Sequence, residues 1–174
     1  MLFRTPMDPV TTDRRKQRLL LLTGIPATGK TEMGRFLERE HGFVHMDMEE
    51  FLMAPPPKSH ADTLRLIERQ RTSGKDNVVT WGFMPGQDEP TIRAIQKMGF
   101  RMAWFDGDRN AAHRVFRQRG HPPIQLFHAQ KDRIKQLDID SFQPIRLDPF
   151  EGREFRSREA IAAELIGLAG DQRV

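Results

Sequence analysis

Apolar residues fall along the chain in two alternating rhythms, short unbroken runs and longer stretches at helical spacing, and this alternation predicts a layered α/β fold. The first run, Leu19-Leu20-Leu21-Leu22 within Arg18–Thr23, lacks the polar alternation of a strand with one wet face. It predicts a strand covered on both sides, at the centre of a parallel sheet. Beyond it, Met33, Phe36 and Leu37 recur at helical spacing and Gly42 closes the segment, so a helix laying those side chains on the sheet is expected.

Further strands are expected at Phe43–Met46, Asn77–Trp81, Phe100–Phe105 and Phe142–Leu147, the last at a sheet edge because Pro144 cannot donate to a ladder. Helices are expected over Ser59–Thr72, Pro90–Met98, from Asp108 as N-cap to about Gly120, then over Ile124–Leu137 and Ser157–Leu168. Ala54-Pro55-Pro56-Pro57 interrupts any helix begun at Met48. Strands alternate with helices throughout, which is the mark of right-handed crossovers in a parallel sheet.

With 174 residues the chain suits one well-buried core, and 37% hydrophobic against 30% charged residues is a polar but globular balance. Residues 1–17, polar and bearing Arg14-Arg15-Lys16, read as a flexible arm, and residues 18–174 as a single domain. That arm has charges and prolines where a signal peptide needs an apolar centre, and no stretch is long enough for a membrane span, so a cytoplasmic location without membrane partners is expected. The absence of cysteine excludes disulfides, thiolate zinc sites and a thiol nucleophile. Net charge is +4, which suits a nucleotide or a phosphorylated small molecule as well as a nucleic acid. Dispersed basic residues without interleaved aromatics do not favour the nucleic acid. Six histidines show no zinc-like spacing, and no serine sits in a G-x-S-x-G turn.

The most specific signal is Gly24-Ile25-Pro26-Ala27-Thr28-Gly29-Lys30-Thr31, which fits the phosphate-binding pattern G-x-x-x-x-G-K-[ST] and follows directly on the first strand. The chain must turn sharply there while its amides converge on phosphate oxygens, and a Cβ at either glycine would obstruct this. Gly24, Ala27, Thr28, Gly29, Lys30 and Thr31 are therefore the expected nucleotide-binding residues, with Lys30 reaching the β- and γ-phosphates and the Thr31 hydroxyl on Mg²⁺. No guanine-reading N-K-x-D is present, which favours ATP.

Loop, alternation and length together resemble the small P-loop kinases of the shikimate, gluconate and adenylate kinase group, including polynucleotide-kinase-like members. The resemblance spans roughly residues 18–170. It implies a three-layer α/β/α P-loop NTPase fold, five parallel strands in the order 2-3-1-4-5, and a helical lid that includes Arg114–His128 and extends over about residues 114–138. It also implies an ATP-dependent transfer of the γ-phosphate to a hydroxyl of a small metabolite. A nucleoside or 5′-hydroxyl polynucleotide kinase, and a nucleotide-binding module with little transferase activity, stand as alternatives.

On this resemblance Asp47 accepts or orients the acceptor hydroxyl, and its other reading is an N-cap for Met48–Met53. Trp81, Gly82 and Phe83 line the acceptor, or belong to ordinary core packing. Arg114 is expected at the adenine or its phosphates, and Arg117, or Arg119, at the transferred group; a solvated basic helix face is the alternative. Pro149, Phe150 and Gly152 are placed near the base. Two departures stand out. The family's D-x-D is His45-Met46-Asp47 here, and Val78-Val79-Thr80-Trp81 carries no acid. Both leave Mg²⁺ to Thr31, the phosphates and the nearby Asp47 or Glu49.

Overall fold

The computed structural model describes residues 16–56, 58–82, 84–120 and 123–170. Its central strand β1 (Leu19–Gly24) is flanked by β3 (Asn77–Thr80) and β4 (Arg101–Phe105), with β2 (Val44–Asp47) and β5 (Ile145–Leu147) outside them. All pairings are parallel and the order is 2-3-1-4-5, as expected. Leu21 faces Val79 on one side and Met102 on the other.

The unbroken leucine run follows from this central place. Leu20 and Leu22 pack with Met33, Phe36 and Leu37 of α1 (Lys30–His41) and with Leu165 of α7 (Arg158–Gly170). Leu21 points to the opposite layer, among Ile67, Ile92, Trp104 and Phe127. Those side chains come from α3 (His60–Arg71), α4 (Glu89–Lys97), β4 and α6 (Ile124–Lys135). All three leucines are fully buried, each contributing about 1.5–3 kcal/mol relative to exposure. Trp104 is fully buried in this layer.

Helix ends follow local chemistry. Gly42 closes α1 in the left-handed region, with its N–H on Leu37 O. Ser59 and Asp62 form a capping box at the start of α3. The short α2 (Met48–Met53) stops where Ala54 turns extended before Pro55. Asp108 caps α5 (Arg109–Arg119), which Gly120 ends.

Three expectations are corrected. The edge strand begins at Ile145, because a 3₁₀ turn occupies Ile139–Phe142 and Gln143 takes φ 49° ahead of Pro144. No strand is expected beyond Leu147, yet β6 (Phe150–Glu151) and β7 (Glu154–Phe155) form a hairpin turning at Gly152, φ 63°. Gln17, assigned to the arm, is anchored by its side-chain amide on Arg71 O at 2.9 Å, while residues 1–15 of that arm lie outside the described residues. No helix among the described residues is long and apolar enough to cross a membrane.

Candidate functional site

The segment from Gly24 to Thr31 leaves β1 and enters α1 through three positive-φ residues, Gly24 at 126°, Ala27 at 59° and Gly29 at 82°. Gly24 is required by crowding as well as by φ: a Cβ there would lie 2.2 Å from Phe105 O. The loop is pinned to β4 at this point by Ile25 N–H on Phe105 O, 2.9 Å. Thr28, fully buried, braces the turn by donating its hydroxyl to Ile25 O at 2.7 Å. The first residues of α1 thus present a helix N-terminus, with its positive dipole end, to the cleft.

Lys30 is buried and donates its ammonium to Ile25 O at 2.7 Å and, less closely, to Gly24 O at 3.4 Å. Burial lowers its pKa to about 8, and Arg119 pushes the same way, against the carboxylates of Glu49 and Asp47. An ammonium this poorly compensated is poised to gain from an anionic ligand.

Asp47 uses its two oxygens differently. Oδ1 accepts from Glu49 N–H (2.9 Å) and Glu50 N–H (3.2 Å), capping α2, while Oδ2 accepts the Thr31 hydroxyl at 2.8 Å. The cap of α2 and the contact to Thr31 therefore coexist on one residue. Glu49, two residues on, borders the cleft and takes the Gly82 N–H on Oε1 at 3.2 Å. The protein around it raises its carboxyl pKa by desolvation, against the pull of Lys30. His45 bonds Thr80 Oγ1 through Nε2 at 3.0 Å, over Gly34, where a Cβ would meet that ring nitrogen at 2.4 Å. Its pKa is lowered, chiefly by burial. This pair ties β2 to β3 and so holds the strand that carries Asp47.

Lys30, Thr31, Asp47, Glu49 and Thr80 border a cleft of about 590 Å³. Its floor is the phosphate loop with Asp47 and Thr80, and one wall is Glu49, Trp81 and Gly82. Phe116 and Arg119 of α5 and Leu126 and Gln130 of α6 also line it. Gln130 donates to Gly82 O at 3.0 Å, joining α6 to the end of β3. A smaller, mainly apolar recess of about 150 Å³ adjoins Gly29 and is bordered by Phe155, Arg156 and again Arg119.

The structure brings Ala27, Gly29, Lys30, Thr31, Asp47, Trp81 and Gly82 to one cleft. Gly24 and Thr28 shape the loop from behind. Phe83 lies outside the described residues. Arg114 and Arg117 are exposed on α5 and border neither cavity; Arg119 borders both. The reason is helical phase: Arg119, also exposed, lies in line with the buried Ala112 and Phe116 and so reaches the cavities, with Arg114 and Arg117 off that line. Of the residues expected near a base, Pro149, Phe150 and Gly152 border neither cavity; Phe155 borders the smaller recess, with Phe150 stacked on it at 4.7 Å between centroids. Neither Gln130 nor Phe155 belongs to a motif, so the sequence held no signal for them.

A strand, a phosphate loop and a helix at the carboxyl edge of a 2-3-1-4-5 parallel sheet define the fold of small P-loop kinases. No protein-family model matches the chain, and no curated protein matches it in sequence. Among solved structures it is similar to a gluconokinase from Sinorhizobium meliloti, at 15% identity and a TM-score of 0.61, over 89% of this chain and 93% of that one. It is also similar to a shikimate kinase from Acinetobacter baumannii, solved with shikimate, at 14% identity and 0.60, over 92% and 97% of the two chains. A tunicamycin resistance protein from Deinococcus radiodurans shares 13% identity and a TM-score of 0.61 over 88% and 96%. At such identities the likeness shows the fold alone.

Proposed function

We propose that the protein is an ATP-dependent phosphotransferase that moves the γ-phosphate to a hydroxyl of a small molecule. The observation that carries this reading is the Thr31–Asp47 contact at the N-terminus of α1, with Lys30 in the same cleft. The triphosphate binds along the loop, where the Lys30 ammonium exchanges its two carbonyl partners for phosphate oxygens. Adenine takes the apolar recess at Phe155, and Arg119, bordering both cavities, meets the phosphates. The Thr31 hydroxyl and the Asp47 carboxylate are hard oxygen donors suited to Mg²⁺, which when bound with the phosphates offsets their charge.

The acceptor oxygen attacks the γ-phosphorus in line, the bond to the β–γ bridging oxygen breaks, and ADP leaves. Asp47, already fixed in orientation by the α2 amides, takes the hydroxyl proton. Closure of α5 and α6 excludes water from the transfer. The contact of Asp47 with Thr31 also supplies, from β2, the acid that β3 lacks, which favours transfer over a nucleotide-binding module without chemistry. The test is a screen of sugars, nucleosides, amino alcohols and 5′-hydroxyl oligonucleotides with γ-labelled ATP. Label on a small acceptor supports the reading, label on oligonucleotides alone replaces it, and label on none abandons it.

A further inference from the structure

The charges around the cleft are divided unevenly between its ends. Among the described residues its cations are Lys30, Arg35 and Arg119. Lys30 sits inside the phosphate loop, and Arg119 also borders the recess beside Gly29. Arg35 is bonded to Glu32 at 3.1 Å and to Glu50 at 2.6 Å. All three thus serve the nucleotide end or are neutralised by carboxylates.

The other end is bounded by Glu49, Trp81, Gly82, Met84, Leu126 and Gln130. No cation stands among these six. The Gly82 N–H is the backbone donor that an acidic ligand would seek at this sheet edge, and it already donates to Glu49 Oε1 at 3.2 Å. That approach depends on glycine, since a Cβ at Gly82 would lie 2.5 Å from the same oxygen. The Gly82 carbonyl is taken as well, by Gln130. Glu49 Oε2 receives no hydrogen bond from the described residues, so it offers an acceptor to a ligand. Leu126 is 51% exposed, and with Met84 and the buried Trp81 it gives the same end an apolar surface.

We propose that this end of the cleft selects a hydroxyl compound that is cationic or uncharged and has an apolar flank, with Glu49 accepting a hydrogen bond from its ammonium or second hydroxyl. The proposal rests on the phosphotransferase reading. The fields of Lys30 and Arg119 reach Glu49, but with the nucleotide bound both are engaged by its phosphates. A carboxylate or phosphate on the acceptor would then meet Glu49, Asp47 and the triphosphate, a like-charge juxtaposition that rejects acidic acceptors.

The test is calorimetric titration of the full chain saturated with Mg²⁺ and a non-hydrolysable ATP analogue. Titrants are matched amino alcohols and hydroxy acids, from glucosamine against gluconate to phenylalaninol against phenyllactate, with the uncharged parent compounds between them. Amine or uncharged members are expected to bind at least about tenfold more tightly than their acids, and Glu49→Gln to shrink that ratio about tenfold. Acids binding as tightly as their partners, an unchanged ratio in folded Glu49→Gln, or binding by no member overturns the proposal. The wild-type comparison stands even if the variant does not fold. Phosphorylation of an acid would sink this inference and leave the kinase reading intact, whereas the expected preference without any transfer would sink the kinase reading alone.

Discussion

Thr31 donates its hydroxyl to Asp47 across 2.8 Å, joining the first turn of α1 to the end of β2, while the other oxygen of Asp47 caps α2. Because Asn caps a helix as well as Asp, Asp47→Asn removes the charge and keeps the cap. Its kcat is expected to fall at least about 100-fold, with unfolding unchanged within about 0.5 kcal/mol. Asp47→Ala adds a loss of about 1 kcal/mol in urea denaturation. Near-normal turnover in Asp47→Asn would take Asp47 out of the mechanism.

Lys30 titrates near pH 8 rather than at 10.5, because burial disfavours its charged form. Between those values the unfolded chain binds a proton that the folded chain does not, so this residue makes stability rise with pH across that window. The Tm difference between wild type and Lys30→Met should therefore move in favour of wild type as pH rises from about 8 to about 10.5. Phosphates favour the ammonium, so nucleotide binding at about pH 8.5 should take up protons, read as a buffer-dependent calorimetric enthalpy. A buffer-independent enthalpy would place the ammonium away from the phosphates.

Arg119→Ala is expected to lower kcat/KM by about 10- to 1000-fold, since a guanidinium at the phosphates acts on developing charge. Arg117→Ala should stay within about threefold of wild type, as an exposed residue on the other face of α5. Kinetics of the two variants side by side decide between them; equal losses would show that closure brings the whole of α5 onto the nucleotide.

Two glycines with positive φ separate crowding from backbone strain. Gly24→Ala, whose Cβ would meet a carbonyl of β4, should cost about 3 kcal/mol or more and disturb the loop. Gly42→Ala, with open space at its Cβ, should cost only about 1 kcal/mol. Equal costs in urea denaturation would mean that the loop moves away from Phe105.

The sheet and the phosphate loop were legible because each follows from local pattern: the leucine run has two covered faces, and the loop glycines have a steric reason. Asp47 was legible because an acid at the end of a strand stands at the ligand edge. The His45–Thr80 bond was not, because it arises from the pairing of β2 with β3 above Gly34, which no single segment encodes. Arg119 was separable from Arg117 only once the buried face of α5 was known. Phe155 lies in a strand of two residues, too short for any periodicity to reveal.

The most direct measurement is a titration of Mg·ATP into wild type and Lys30→Met at neutral pH, with thermal unfolding confirming that both are folded. The account predicts saturable one-to-one uptake by wild type and at least about 100-fold weaker uptake by the variant, the scale expected when a charge-assisted contact to phosphate is lost in a buried site. Equal affinities, or no uptake by wild type, would contradict it.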